Sequence, residues 1–427
     1  MHLAIITAGG AGMYCGSCMH DNRLARALRQ QGIEVSLIPT YTPLTVDEPD
    51  QSLNRIFLGG INVYLSGKFP WWSRLPRFLT SWLDSPAIIR KATSGAVSND
   101  ATELGDLTIS MLQGEQGPHR RAIQELAKAI ARDLRPDLII FSNALLCGAL
   151  HEIRQASPVP VLCTLQGDDV FLDALKPEDR QQAIELISQR AQEFDGFITQ
   201  TAFYRDYISA YLSLPVDRFH IVPVGIDLHE HTGCPQRRET GPLRVGYFAR
   251  FAPEKGLHHL VEGFIRLRNR LPDAELYLGG YQGKQYQTYI RETLETLDRS
   301  GISYTNIGSP ATLAEKVAFF QRLDLFSVPT EFLEPKGLYV LEAMANGVPV
   351  VQPAHGAFPE MLNTVGGGLL VPPRDPEALA EAMAQFADPE LRFEHAQRVW
   401  DGVRQHYSSD AAARRMVALA SSFLTAH

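Results

Sequence analysis

The chain has 427 residues, 45% of them hydrophobic and 21% charged. That is too long for one ordinary core and predicts two or three folded domains. Forty Lys and Arg against 48 Asp and Glu leave a formal charge of −8, a balance that speaks against a nucleic-acid binder. The first residues, MHLAIIT, read directly as a strand without a leader pattern. No run reaches the ~20 apolar residues of a membrane span. Five unevenly placed cysteines (15, 18, 147, 163 and 234) fit a reducing compartment better than a disulfide framework. The expectation is a cytoplasmic protein.

Short apolar runs alternate with amphipathic ones, the pattern of parallel sheets covered by helices. Strands are predicted over 3–7, 33–39, 56–65, 137–142, 159–165, 196–200 and 219–224. Of the helices between them, RAIQELAKAIARDL (121–134) puts Ile123, Leu126, Ile130 and Leu134 on one face. The polar, aperiodic GCPQRRETGP (233–242) reads as a linker. Strands then resume over 243–249, 274–279, 302–307, 324–328, 349–352 and 367–371. The reading is α/β, with doubly wound parallel-sheet domains over 1–232 and 243–408. A last helix over 409–427 could pack on either, the first included. Ligands of such sheets bind at the carboxyl ends of the strands, here in a cleft between the halves.

The first strand runs into GGAGMYCGSC (9–18) and a helix beginning DNRLARAL. Glycines at such a turn let backbone amides and the helix start meet an anion. Gly10, Gly12 and Gly16 superficially resemble a dinucleotide fingerprint. The second strand, however, ends Ile38-Pro39-Thr40-Tyr41, with no acidic residue for a ribose diol, which disfavours NAD. A plain tight turn is the competing reading. Cys15 and Cys18 make one C-x-x-C, half a tetrahedral zinc site without a second pair. Small residues packing in a crowded turn is the preferred reading over redox or metal function.

Residues 66–91, SGKFPWWSRLPRFLTSWLDSPAIIRK, carry three of the four tryptophans and interrupt the first half after its third predicted strand. Phe69, Trp71 and Trp72 suit stacking on sugar rings or contact with an anionic bilayer surface. The alternative is that these aromatics pack back onto the domain.

In VGYFARFAPEKGLHHLVEGF (245–264), Arg250 and Lys255 can project from a strand's carboxyl end, where two cations would neutralise a diphosphate. A solvated loop with ordinary charges is the alternative. VPTEFLEPKGLYVLEAMANGVPVV (328–351) gives a strand ending at Pro329, a polar loop, and a helix from Gly337 to Gly347. The helix start offers the amides of Gly337, Leu338 and Tyr339 to a phosphate. Glu334 lies in the loop, whereas Glu342 lies within the helix and needs a partner such as the hydroxyls of a ribose. The alternative is a surface Glu334 and a structurally satisfied Glu342. No D-x-D pair stands in a suitable loop, and Asp168 and Asp169, adjacent at a strand end, would point apart. No metal is expected.

The stretch EPKGLYVLEAMANGVPVV resembles the signature of the retaining glycosyltransferase family 4 (glycosyl transferases group 1), with its two glutamates separated by seven residues, small-residue helix and G-x-P-V-V strand. RFAPEKGL resembles the donor-phosphate loop of that family, and PVGIDLHEH (223–231) its interdomain segment. GAFPEML (356–362) resembles its glycine-to-glutamate turn, and GGGLLVPPRDPEALAEAM (366–383) the strand and helix that follow. The resemblance spans nearly the whole chain in order. It implies the GT-B fold, two Rossmann-like domains facing across a cleft.

On this resemblance Arg250 and Lys255 bind the donor diphosphate and stabilise it as leaving group. Glu334 holds hydroxyls of the transferred sugar, Glu342 holds the ribose, and amides near Gly337, Leu338 and Tyr339 complete the cradle. The loop at Gly10–Gly12 faces the donor phosphates or the acceptor. TLQGDDVF (164–171) resembles a segment where many members carry T-x-H-G, with Gln166 at the place of the histidine. A glutamine can bond a sugar hydroxyl but cannot take up a proton near neutral pH. Tyr14 and Asp168 join Phe69, Trp71 and Trp72 as acceptor-side candidates. Lys336, where an aromatic is frequent, and His355, where glycine is common, depart from the family pattern.

The implied reaction moves a sugar, with retention, from a UDP- or GDP-linked donor to a glycan, lipid or small-molecule acceptor. Front-face attack needs no metal or other cofactor, the two cations taking the electrostatic role Mg²⁺ often plays. The alternatives are an epimerase or phosphorylase on the same architecture, and a non-catalytic sugar-binding protein. Peripheral contact with the inner membrane face and the oligomeric state stay open.

Overall fold

A computed structural model describes residues 1–9, 16–46, 48–69, 71–72, 75, 83, 85, 88–89 and 101–426. The chain divides into two compact units, Met1–Gly225 with Ala412–His427, and Ile226–Ala411. In the first, β1 (His2–Ala8), β2 (Glu34–Thr40), β3 (Leu138–Phe141), β4 (Val161–Thr164), β5 (Gly196–Thr199) and β6 (Phe219–Ile221) form one sheet in the order β2-β1-β3-β4-β5-β6. Every pairing is parallel. Runs such as LAII and LIIF are apolar at every position because helices cover both faces. Successive side chains point to opposite sides. Ala4, Ile6, Ile139 and Phe141 therefore pack against Ile123 and Leu126 of the helix Arg120–Ala129. Leu3, Ile5, Leu138 and Ile140 pack against Leu24 and Leu28 of the helix Gly16–Gln30, and against Ala413, Met416 and Ala420 of the last helix, Ser409–Ala426.

Residues 56–65 are not the third strand. Phe57 makes an isolated bridge to Thr40, Leu58 takes a left-handed conformation (φ 51°), and the helix Gly60–Lys68 follows. A short apolar run cannot separate helix from strand by periodicity, and Gly59-Gly60 ends extended pairing here. The predicted helix 121–134 is also divided: its last turn, Ile130–Leu134, is a π-helix that stops at left-handed Arg135.

The second unit repeats the plan with β7 (Arg244–Phe248), β8 (Glu275–Gly279), β9 (Tyr304–Asn306) and β10 (Leu325–Phe326), in the order β10-β7-β8-β9. The parallel pair β11 (Val351–Pro353) and β12 (Leu369–Val371) joins it through a bridge between Phe326 and Val350. In each sheet the strand order reverses once, between β1 and β3 and between β7 and β10. Such a switch point opens a crevice at the carboxyl ends.

His119 of the first unit is buried between hydroxyls, with Ser66 Oγ 3.3 Å from Nδ1 and Ser110 Oγ 3.0 Å from Nε2. Burial pushes its pKa down from 6.5 to about 4. Between those values the unfolded chain holds more protons than the folded one, so stability falls as pH drops through that window. The expected loss approaches about 3 kcal/mol. Urea unfolding at pH 7 and 4.5, in wild type and His119→Gln, measures it; an equal loss in both would remove His119 as its source.

Candidate active site

The loops after β7 and β10 lie on either side of the second switch point, and their backbones are in contact. Gly256 closes the first loop with φ +68°, and a Cβ there would fall 1.8 Å from Pro329 O, so only glycine fits. Glu331 N also donates to Glu254 O at 3.0 Å. This close approach sets Lys255 against Glu334. Lys255 Nζ donates to Glu334 Oε2 at 2.9 Å, Tyr339 Oη donates to the same oxygen at 2.8 Å, and Gly337 N donates to Oε1 at 3.2 Å. The ammonium also lies 4.2 Å from the Phe332 ring centre and 5.0 Å from that of Tyr339, both within cation–π range.

Glu334 is buried, not on the surface. Burial alone would raise its carboxyl. The charge and hydrogen bond of Lys255, with those of Tyr339 and Gly337, outweigh that and hold it below the usual carboxylate range. Behind it, Ala357 N donates to Glu334 O at 2.8 Å, so the turn after β11 braces the loop. Burial and the neighbouring carboxylate push the Tyr339 hydroxyl well above its ordinary range, which keeps it a donor.

The helix Leu338–Ala345 begins at left-handed Gly337. Its three first amides are not equivalent: that of Gly337 is taken by Glu334, while those of Leu338 and Tyr339 are first-turn donors without an intrahelical acceptor. Glu342, on the same helix, is buried and meets Lys316 Nζ at 3.0 Å. This buried lysine of the helix Leu313–Gln321 was not expected from sequence. Arg250 donates to Glu254 Oε1 at 2.6 Å with its side chain 40% exposed. Lys336 is buried. His355 Nε2 lies 3.4 Å from Thr330 Oγ1, and burial lowers its pKa.

The helix after the first of these loops, Leu257–Arg270, and the second loop carry a group absent from the sequence expectations. His258 Nε2 and His259 Nε2 lie 3.1 and 2.8 Å from one oxygen, Glu331 Oε1. Among the described residues this is the group of three side chains with metal-ligating atoms in mutual reach.

In the first unit, Gln166 and Asp168 follow β4, and Gln166 reaches residues that follow β1 and β3, at the first switch point. Gln166 Nε2 donates to Asp21 Oδ1 (3.1 Å) and to Ser142 O (3.0 Å), and Thr7 Oγ1 donates to Asp21 Oδ2 at 2.6 Å. Asp168 accepts from Ala144 N at 2.7 Å and Gln166 N at 3.0 Å. Its burial raises the pKa to about 6 against those two bonds. Asp168 and Asp169 begin the short helix Asp168–Asp173 and do not end a strand. They still diverge, since Asp169 accepts from Tyr204 Oη at 2.6 Å. Asp21, the centre of this buried network, carried no motif. Gly10, Gly12, Tyr14 and Cys15 lie outside the described residues; Cys18 is buried, with Sγ 3.0 Å from Ala8 O. Of the aromatics, Phe69 and Trp71 are exposed, whereas Trp72 is half-buried with Nε1 donating to Asn62 Oδ1 at 3.1 Å. Most of 66–91 lies outside the described residues. No helix among them is long and apolar enough to cross a membrane.

Residues 20–225 match the family model of the glycosyl transferase 4-like domain, and residues 242–388 that of the glycosyl transferases group 1. The chain belongs to the group 1 glycosyltransferases. Among relatives within and around this family, glycogen synthase of Mycobacterium tuberculosis is 26% identical over 281 residues, 65% of this chain and 66% of that one. D-inositol 3-phosphate glycosyltransferase of Corynebacterium glutamicum is 31% identical over 187 residues, 40% and 44% of the two chains. The matches thus span just under two thirds and less than half of these relatives. Sucrose-phosphate synthase of Thermosynechococcus elongatus superposes with a TM-score of 0.71 at 19% identity, covering 100% of both chains. HepE of Anabaena, in complex with UDP-glucose, superposes at 0.67 with 16% identity, covering 99% and 100%. The fold of this group 1 member is therefore GT-B, built from two Rossmann-like units.

Proposed function

We propose that the protein transfers a sugar from a nucleoside-diphosphate sugar to a hydroxyl acceptor, with retention of configuration and without a metal. The observation that carries this reading is the Lys255–Glu334 pair, buried at a switch point beside the start of the helix Leu338–Ala345. In the proposed roles, Lys255 and the more exposed Arg250 neutralise the diphosphate as the glycosidic bond breaks. The amides of Leu338 and Tyr339 complete the phosphate cradle, since that of Gly337 is engaged by Glu334. Glu342 holds the ribose. Glu334 orients hydroxyls of the transferred sugar; held by three donors and below the usual carboxylate range, it is a poor nucleophile. That favours front-face attack, with the leaving diphosphate taking the acceptor proton, over double displacement. Gln166 falls to the donor side, and Asp168 and the exposed aromatics Phe69 and Trp71 to the acceptor side. UDP is the first donor base to test, because HepE is seen with UDP-glucose.

Thermal unfolding against UDP, GDP, ADP and their sugar conjugates, each repeated with EDTA, tests the donor site. One nucleotide family is expected to raise the melting point, by about 2.7 kcal/mol of stabilisation at a hundredfold excess over Kd, unchanged by EDTA. NMR of the product from the stabilising donor is expected to show the donor's own anomeric configuration. Stabilisation that vanishes with EDTA, or an inverted product, would overturn the reading.

A further inference from the structure

We propose that His258, His259 and Glu331 bind a divalent transition-metal cation, which ties the loop carrying Glu334 to the helix that follows Lys255. The site is separate from the transfer chemistry. Both imidazoles direct Nε2 at one carboxylate oxygen, at 3.1 and 2.8 Å, and the three ligating atoms lie within 4.8 Å of one another. An ion bound at about 2.0–2.2 Å by imidazole nitrogen and carboxylate oxygen needs ligand atoms roughly 2.9–3.4 Å apart, for angles from right to tetrahedral. One observed separation, 3.1 Å, lies inside that range and the other, 2.8 Å, just below it, so a small outward movement of Glu331 admits the ion. Two imidazoles and one carboxylate select zinc and its transition-metal neighbours over Mg²⁺ or Ca²⁺, which prefer all-oxygen sites.

The surroundings orient the ligands. Tyr289 Oη lies 2.9 Å from His258 Nδ1 and fixes that ring with Nε2 turned inward; such outer partners are a regular feature of metal-bound histidines. Arg374 Nη2 lies 3.6 Å from the second oxygen, Glu331 Oε2, leaving Oε1 for the rings. An adjacent groove, lined by His258, Tyr289, Glu262 and Glu292, supplies carboxylates that favour a cation. The side chains of His258 and Glu331 are about a third exposed, 32% and 29%, so an ion can enter and keep a water as its further ligand.

The test uses full-length, tag-free protein with Cys15→Ser and Cys234→Ser to remove thiol background, and no nucleotide. Zn²⁺ is titrated against a chromophoric chelator, and Co²⁺ binding is followed by its visible spectrum. The expected result is one equivalent of Zn²⁺, a Co²⁺ band of low coordination number, and at least about tenfold weaker binding in His259→Ala and in Glu331→Gln. His151→Ala, at a half-exposed histidine beside Glu193 in the first unit, is expected to bind as the parent does. Zn²⁺ affinity unchanged in His259→Ala or Glu331→Gln would overturn the site. If those variants do not fold, the parent decides it: no Co²⁺ band and no Zn²⁺-dependent rise in melting point refutes the proposal.

Discussion

Lys255→Ala is expected to lower kcat/KM for sugar transfer by about 10²–10³-fold, the loss seen when one preorganised group that stabilises developing charge is removed. The ammonium sits where two loops converge at a switch point, 2.9 Å from Glu334 and stacked on Phe332 and Tyr339, so its position is set before any donor arrives. The same substitution leaves the buried carboxylate with Tyr339 and Gly337 but no cation, at a stability cost of about 3–5 kcal/mol. The double variant Lys255→Ala, Glu334→Gln separates the two effects. It is expected to recover most of the stability in urea unfolding while transfer stays low. If transfer by Lys255→Ala equalled that of the parent, the diphosphate would have to be neutralised elsewhere, and Arg250 would be the next cation to test. The pair also sets a pH dependence. Because Glu334 is held below its ordinary range, its contribution is complete above about pH 4.3 and is lost as the pH falls below that.

Lys316→Met is expected to destabilise the second unit by about 3–5 kcal/mol, because it strips the cation from a buried carboxylate. Lys316 and Glu342 are 5% and 3% exposed and 3.0 Å apart. For a unit of this size the loss corresponds to a fall in melting point on the order of 10 °C. Lys316→Met with Glu342→Gln is expected to restore most of it, since replacing both members of a buried pair avoids the stranded charge. Nucleotide affinity of that stable double variant reads the ribose role of Glu342 apart from folding: on the proposed function it weakens, and unchanged affinity would take Glu342 out of the donor site. Wild-type stability in the single variant would mean that Glu342 does not depend on this lysine for its charge.

How much of this could be read beforehand depended on the kind of pattern. Parallel strands buried on both faces are apolar throughout, which is why LAII, LIIF and VGYF stood out. The failure at 56–65 came from the same rule, since the short apolar runs Ile56–Leu58 and Val63–Leu65 fit a helix as well. Lys255 and Glu334 were visible because each lies in a dense local motif. Lys316 was not: in LAEKVAFFQ a single lysine reads as the solvated face of an amphipathic helix, and only the fold brings it to Glu342, 26 positions away. Asp21 was hidden for the same reason, its partners Thr7 and Gln166 coming from two other strand ends. His258 and His259 are adjacent in sequence, but Glu331 is more than 70 positions distant. The amide of Gly337 had a local signal that went unread, an acidic residue three positions ahead of a helix start, the spacing at which a side chain caps a helix.

The last helix gives the first unit an unusual dependence on the end of the chain. Ala413, Met416 and Ala420 fill the same core layer as Leu3, Ile5 and Leu138, so residues far apart in the sequence share one hydrophobic surface. During synthesis that layer has the helix Gly16–Gln30 but lacks the later one while nearly 200 intervening residues are added, so the first unit cannot finish folding before the second is made. A nick or stop codon near residue 409 would strike hardest at the opposite end of the sequence.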